Sequence, residues 1–422
     1  MSYIQEKAVI KARQSITSQS FQKVYKTNSR AFTRTRKLTF ESIVGMILRM
    51  VKQSLQISCD FLGDLISMEP ASKQAFSRSR QQISKECFQK LHQQGIEVYY
   101  SDKKLAEKSL WNGIRIIAAD SSTLRLPESE ELAQEFGRCN TAKNTNCSRP
   151  MARISEFMDM STRLVINGRI APYSVSEEVL AKEQLPEVVE CMRKLGQEEL
   201  LFVYDRGYPS DEFISEHIKL GVHFIFRVPK NFNTSISNVY EEGIPENVLL
   251  AENWPMLRVV QFTLPSGERE ILLTTIVDDK RIPLQEIAEV YRGRWASMEE
   301  GYKKQKITMQ LENFSGKTVL AIQQEYWATL TISNIIEMGC TELEGFWIPG
   351  KLPKNRVNRS IIFGSMRNKT LEALLGIITI EEYSQTFDKR AMRNMLKDRP
   401  GRQFSREKLR QPKRHHEYRR AC

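Results

Sequence analysis

Histidine is scarce in this chain: five in 422 residues, at 92, 217, 223, 415 and 416, the last two inside a run of arginines and lysines. Chemistry built on imidazole has few candidates, so a bound metal would fall to carboxylates. Cysteine is also sparse, seven in all at 59, 87, 139, 147, 191, 340 and 422, and no two form a Cys-x-x-Cys pair. That pattern argues against zinc knuckles and against a disulfide framework. Cys139 and Cys147 sit in a polar loop and carry no assignable role. No apolar run approaches the roughly 18 residues of a membrane span, since Arg49 cuts even the stretch 42–51. The opening Met-Ser-Tyr-Ile-Gln-Glu lacks a signal-peptide core, which points to the cytosol.

What is present is positive charge, unevenly placed. The chain carries 63 Lys plus Arg against 51 Asp plus Glu, a net charge of +12. Residues 1–50 hold a net +8 and residues 389–422 a net +10, which leaves −6 for residues 51–388. A mildly acidic body between two basic ends fits a polyanion ligand, while solvated tails that aid solubility are the competing reading.

Periodicity divides the rest. Leu38, Phe40, Ile43, Val44, Ile47, Met50, Val51 and Leu55 recur at helical steps. A short helix over 60–67 follows, and Ser72 is placed to cap a third over 73–83 that exposes Lys73, Arg78 and Arg80. Three short helices ending in a basic one match a helix-turn-helix DNA-binding module or an ordinary helical domain. Beyond Trp111 the texture becomes α/β: a strand over 114–119 ending on Asp120, and hairpin arms over 152–160 and 164–171. A helix over 176–195, a strand over 200–204 ending on Asp205, a helix over 210–220 and a strand over 223–228 complete it. Residues 229–282 show two β-like runs and no helical signal. Pro283 then opens a long helix through Lys306, and 318–338 form another.

Two strands ending in aspartate can face one point beyond the sheet, and a third carboxylate from a later helix would complete an oxygen cage for Mg²⁺ or Mn²⁺. Two such ions activate a water or 3′-hydroxyl for attack on a phosphodiester. The most specific signal is Tyr291-Arg292-Gly293-Arg294-Trp295, followed by Glu299 and Lys306. With Ile117–Leu124 and Phe202–Tyr208, it resembles the insertion-sequence DDE transposases that carry a Tyr-Arg-Glu-Lys signature, the insertion-sequence-four family.

That resemblance implies an RNase H-like core with a mixed sheet, interrupted by a β-rich insertion. The implied division is a helical DNA-binding domain over 1–105, core over 106–228, insertion over 229–282, core again over 283–345, and C-terminal helices with a basic tail over 346–422. It makes Asp120, Asp205 and Glu299 the catalytic, metal-binding triad for two Mg²⁺ or Mn²⁺ ions. Tyr291, Arg294 and Lys306 become the residues that grip DNA, joined by Arg206, Lys73, Arg78 and Arg80. The implied partners are double-stranded DNA, as terminal inverted repeats and as target, and a second copy of the chain in a homodimer; no membrane is implied. The reaction would be cleavage at the transposon ends, through a DNA hairpin, and strand transfer, carried out in the bacterial cytoplasm at the nucleoid. An RNase H-like nuclease that does not join strands, and a decayed DNA-binding protein, are the alternatives.

One departure stands out. The family pattern places three residues between Arg and Glu, but four, 295–298, lie between Arg294 and Glu299. In a regular helix that puts the two about 140° apart instead of about 40°, with Met298 in the expected place. The spacing predicts a bulge or π-turn within 295–298, with Glu300 as the fallback ligand. Trp295 reads as core. Trp254 reads as a core or surface residue, or, as the resemblance implies, as a platform for a flipped base. Asp278 and Asp279 read as caps, and His415 and His416 as tail.

Overall fold

A computed structural model of the chain describes residues 3–33, 37–49, 52–140, 148–243, 245–251, 254–264, 267–349, 353 and 355–397. Cys147 and most of the basic tail, including His415 and His416, lie outside them; so does the side chain of Trp254.

Seven helices come first: α1 (Tyr3–Thr17), α2 (Gln19–Tyr25), α3 (Phe40–Arg49), α4 (Leu55–Leu65), α5 (Lys73–Arg80), α6 (Glu86–Ser101) and α7 (Lys103–Lys108). Ser72 caps α5 as its sequence requires, accepting the Ala75 amide at 3.2 Å. The first two helices were not legible from their composition. The basic N-terminal end is not merely a solvated tail: Ile4, Val9 and Ile16 of α1 are wholly buried.

The α/β layer follows as β1 (Arg115–Arg125), α8 (Glu130–Phe136), β2 (Arg138–Asn140), β3 (Ser148–Asp159), β4 (Val165–Pro172), α9 (Glu177–Lys194), β5 (Leu200–Tyr204), α10 (Asp211–Leu220) and β6 (His223–Val228). Then come α11 (Thr234–Glu242), β7 (Glu246–Ala251), β8 (Trp254–Thr263) and β9 (Arg269–Thr274). One nine-stranded sheet runs β2-β3-β1-β5-β6-β9-β8-β7, with β4 on β3. Strands β1, β5 and β6 are mutually parallel, and β3 is antiparallel to β1. That half of the sheet, β4-β3-β1-β5-β6, has the strand order of an RNase H-like core. The residues after 229 do not form a separate β unit. They continue the sheet, because β9 pairs antiparallel with β6, and they include a helix that the sequence reading missed, α11, capped by Asn233 and closed by Gly243.

Helices α12 (Leu284–Lys303) and α13 (Val319–Glu344) cover the sheet, joined by a π-helical turn at Lys304–Thr308; β10 (Asn355–Val357), α14 (Arg359–Leu374), α15 (Ile380–Arg393) and β11 (Met395–Lys397) complete the chain. Twenty of the residues of α13 are buried, so it is a central beam and not an amphipathic surface helix. N-terminal helices pack on it directly: His92 of α6 and Val165 of β4 share hydrogen bonds with Asn334, and Glu342 accepts the Ile4 amide at 3.0 Å. One hydrophobic core therefore runs from α1 through the sheet to α15, crossing residues 105 and 345 without a break.

Candidate active site

Asp120 does not end its strand. It lies in the middle of β1, opposite Glu156 of β3, and β1 continues to Arg125. Asp205 does follow the last residue of β5. Both aspartates meet α12, whose Tyr291, Arg294, Met298 and Tyr302 face inward and are buried. Glycine sets how closely α12 packs on Met158 of β3 and on Trp347. A side chain at Gly301 would meet the Met158 methyl at 2.6 Å, and one at Gly293 would collide with the Trp347 ring. The Tyr302 hydroxyl donates to the Asp120 carbonyl at 2.7 Å, fixing helix to strand.

Arg294 is the centre of the arrangement. Arg294 is 2 % exposed; its guanidinium lies 3.4 Å from Asp205 and 4.0 Å from Asp120, and among the described residues its Nε has no hydrogen-bond partner. Asp205 also accepts the Tyr291 hydroxyl at 2.9 Å and the Arg206 amide at 2.8 Å, with Arg227 of β6 at 3.7 Å. Burial raises the pKa of the Asp205 carboxyl, but Arg294, the Arg206 amide, Tyr291 and Arg227 together bring it below the ordinary value. At Asp120 burial wins over Arg294 and the carboxyl is pushed up to about 6, with Glu177 and Asp205 adding to the rise. Two neighbouring aspartates thus hold different affinities for a proton, the pattern of a tuned site.

An open cleft of about 500 Å³ lies between β1 and α12, lined by Asp120, Arg125, Trp295, Glu299, Lys306 and Glu312 among others. Lys306 donates to Ser122 Oγ at 2.7 Å and to the Thr123 carbonyl at 2.6 Å. Glu299 is ion-paired with Lys303 at 2.7 Å. Glu300 points elsewhere, toward Arg163 and Arg356 at 3.5 and 3.9 Å, and is not a substitute for Glu299 in this cleft.

Three expectations need correction. The helix is regular through 295–298, and the π-turn comes at Lys304–Thr308 instead. There it lets consecutive side chains part: Lys304 to Glu337 at 2.9 Å, Gln305 to Glu156 at 2.8 Å, and Lys306 to the end of β1. The helix thus widens where three consecutive side chains take separate partners, and not directly after Arg294. Trp295 is 54 % exposed and stands at the cleft mouth, not in the core. Arg80, expected on a DNA-facing surface, is buried: it binds Gln324, Ser315 and Glu325 at 3.0, 2.8 and 3.2 Å. Lys73, Arg78 and Arg206 are exposed.

Residues the sequence reading missed include Arg227, Tyr302 and Glu177. Glu177 opens α9, and its carboxylate occupies the space that a side chain at Gly207 would fill, beside Asp205. Burial and then Asp205 raise its pKa. The signal for it was an acidic residue directly after the Ser176 cap, which is indistinguishable from an ordinary helix start.

Asp120, Asp205 and Glu299 offer only oxygen donors, and a buried cationic group already sits between the first two, so the donor chemistry fits a hard divalent ion. Among the described residues no three His, Cys, Asp or Glu side chains are grouped closely enough to hold a metal, and Glu299 is paired with Lys303. No helix of the described residues is long and apolar enough to cross a membrane.

Comparison with known proteins bears on this geometry. The chain is 22 % identical over 338 residues, 74 % of its own length and 73 % of the relative's, to Transposase InsG for insertion sequence element IS4 of Escherichia coli. It is 26 % identical over 163 residues, 37 % of the chain and 53 % of the relative, to Putative transposase InsZ of the same species. Among solved structures, the piggyBac transposase synaptic complex with hairpin DNA is similar with a TM-score of 0.48 and 10 % identity, over 93 % of this chain and 86 % of that one. Residues 111–335, from just before β1 into α13, match the family described as Transposase DDE domain; with just over half its length inside that match, the chain belongs to this family of DDE transposases.

Proposed function

We propose that this transposase cuts DNA at the ends of an insertion element and joins the freed 3′-hydroxyl to target DNA, using the cleft between β1 and α12. The observation that carries the reading is the convergence of Asp120 and Asp205, from adjacent parallel strands, on Arg294, with Glu299 and Lys306 on the wall of the cleft beside them.

Asp120, Asp205 and Glu299 would hold Mg²⁺ or Mn²⁺, two ions in the complete site. The ions would supply an activated water or hydroxyl and neutralise charge on the leaving oxygen. The chain's own groups do the rest. Tyr291 and the Arg206 amide hold Asp205 ionised, ready as a ligand. Arg294 balances the paired aspartates until they are used. Lys306 and Arg125, at the end of β1, are placed to bind non-bridging phosphate oxygens and align the strand for in-line attack. Glu299 must leave Lys303 to join the set. Exposed Lys73, Arg78 and Arg206 bind phosphates along the duplex, and a homodimer brings two ends together on the nucleoid.

The test uses DNA carrying the ends of the element that encodes this chain, intact or pre-cut, with Mg²⁺. Joining of pre-cut ends to a plasmid target supports the reading. Cleavage without joining would mark a nuclease, and binding with neither reaction would mark a DNA-binding relic.

A further inference from the structure

The π-turn at Lys304–Thr308 brings Lys306 to the cleft. Its first and last residues are tied to α14, which lies beyond the DDE domain of residues 111–335. In the turn the Met309 amide reaches back to the Lys304 carbonyl at 2.8 Å, and Gln310, with φ at +53°, then directs the chain away. A helix that ends in this way leaves carbonyls without amide donors, and the helix dipole favours a cation beside them. Arg367 of α14 is that cation. It donates to the Thr308 carbonyl at 2.8 Å, and Ser360 of the same helix meets the Thr308 hydroxyl at 3.4 Å.

The start of the turn is held through α13. Lys304 donates to Glu337 at 2.9 Å, and its amine stands 5.4 Å from the centre of the Phe363 ring of α14. Arg359 Nε donates to both oxygens of Glu337, at 3.0 and 2.9 Å. Its two terminal nitrogens donate to Glu344, at 2.7 and 3.0 Å. Glu337 is wholly buried, which raises its pKa, but Arg359, Lys304 and Arg163 bring the carboxyl down to about 2. The anchor therefore stays charged at neutral pH.

Lys306 reaches Ser122 and Thr123 of β1 on a flexible four-carbon stem, so the place of its amine depends on the turn beneath it. Misplacing a group at a reacting centre by about 1 Å costs on the order of 100-fold in rate.

We propose that Arg359 and Arg367 are positioning residues for DNA cleavage. From α14 they fix the two ends of the π-turn, Arg359 through Glu337 and Lys304, and so set where the Lys306 amine stands. The C-terminal helices are thereby part of the apparatus that holds the phosphate. This rests on the reading that Lys306 binds a phosphate at the cleft.

The experiment is a double-mutant cycle on the full-length protein, with binding of element-end DNA measured across a range of salt. Arg367→Ala should lower the log–log salt slope by about one, the contribution of a single phosphate contact. Lys304→Met should do the same. Lys304 is buried and has no DNA contact of its own to lose, and Glu337 keeps its hydrogen bonds from Arg359. In a Lys306→Met background neither change should alter the slope. An unchanged slope in the parent, or an equal fall in both backgrounds, overturns the proposal; the second result would mean that Arg367 meets DNA itself or that the fold is damaged.

Single-turnover cleavage in Mg²⁺ by Arg367→Ala should be slower on the order of 10- to 100-fold, and an unchanged rate overturns the positioning role. If the slopes behave as expected but the parent protein cuts no element-end DNA, the cleavage reading fails while the placement of Lys306 by α14 stands.

Discussion

Replacing Asp120 by Asn should make the metal-free protein more stable while ending its chemistry. Burial pushes the Asp120 carboxyl up to about 6 from an ordinary value near 4. The folded chain therefore holds this proton more tightly than the unfolded chain, and the charged form is penalised wherever it is forced to exist. At pH 7 and above that penalty is about 3 kcal/mol at most. It shrinks as pH falls through 6 and is gone only below about 3, where the group is protonated in both states. Asn carries no charge and escapes it. Arg294 loses one partner at 4.0 Å but keeps Asp205 at 3.4 Å, so it is not stranded by the change. Unfolding entropy of about 2.1 cal/mol/K per residue gives about 0.9 kcal/mol/K for 422 residues. The melting temperature of Asp120→Asn should then rise by up to about 3 °C at pH 7.5 in EDTA. The gain should fade toward pH 5. A variant that melts below the parent at pH 7.5, or a gain that does not depend on pH, would refute the argument that Asp120 is kept at an energetic cost for binding a cation.

Other perturbations separate the site from its frame. Arg115→Met strips the guanidinium from Asp159, its wholly buried partner at 3.0 Å, and should lower stability by about 3–5 kcal/mol, read by chemical denaturation, without altering the salt dependence of DNA binding. Gly293→Ala drives a methyl into the Trp347 ring and should cost about 1–3 kcal/mol; because Tyr291 and Arg294 flank it, cleavage should fall more than DNA binding in a parallel assay. Lys306→Met removes the amine that bridges Ser122 and Thr123 at the cleft, and a drop of about one in the salt slope is expected if it contacts one phosphate.

Much of the core was legible because its signals are local. The apolar runs over 114–119, 200–204 and 223–228 became β1, β5 and β6, and the Ser72, Ser176 and Ser210 caps opened helices as their hydroxyls predict. The rest depended on partners far along the chain. Arg80 looks like a DNA contact until α13 supplies Gln324 and Glu325, some 240 residues away. Trp295 looks apolar enough for the core, yet Met298 and Tyr302 already fill the inward face of α12. The extra residue before Glu299 was evident, but the helix widens nine residues further on, where Lys304, Gln305 and Lys306 each have a separate partner. Helix α1 was obscured by its Lys, Arg and Gln residues, since its apolar stripe of Ile4, Ala8, Val9, Ala12 and Ile16 is narrow and buries Gln5 and Ser15 beside it.

The most direct test of the central claim is cleavage of element-end DNA in Mg²⁺ by the parent protein and by Asp120→Asn, Asp205→Asn, Glu299→Gln and Glu300→Gln, each checked for DNA binding. The account predicts that the first three bind the ends and leave them intact, while Glu300→Gln, whose carboxylate faces Arg163 and Arg356, still cuts. Undiminished cleavage by Asp120→Asn or Asp205→Asn, or loss confined to Glu300→Gln, would contradict it.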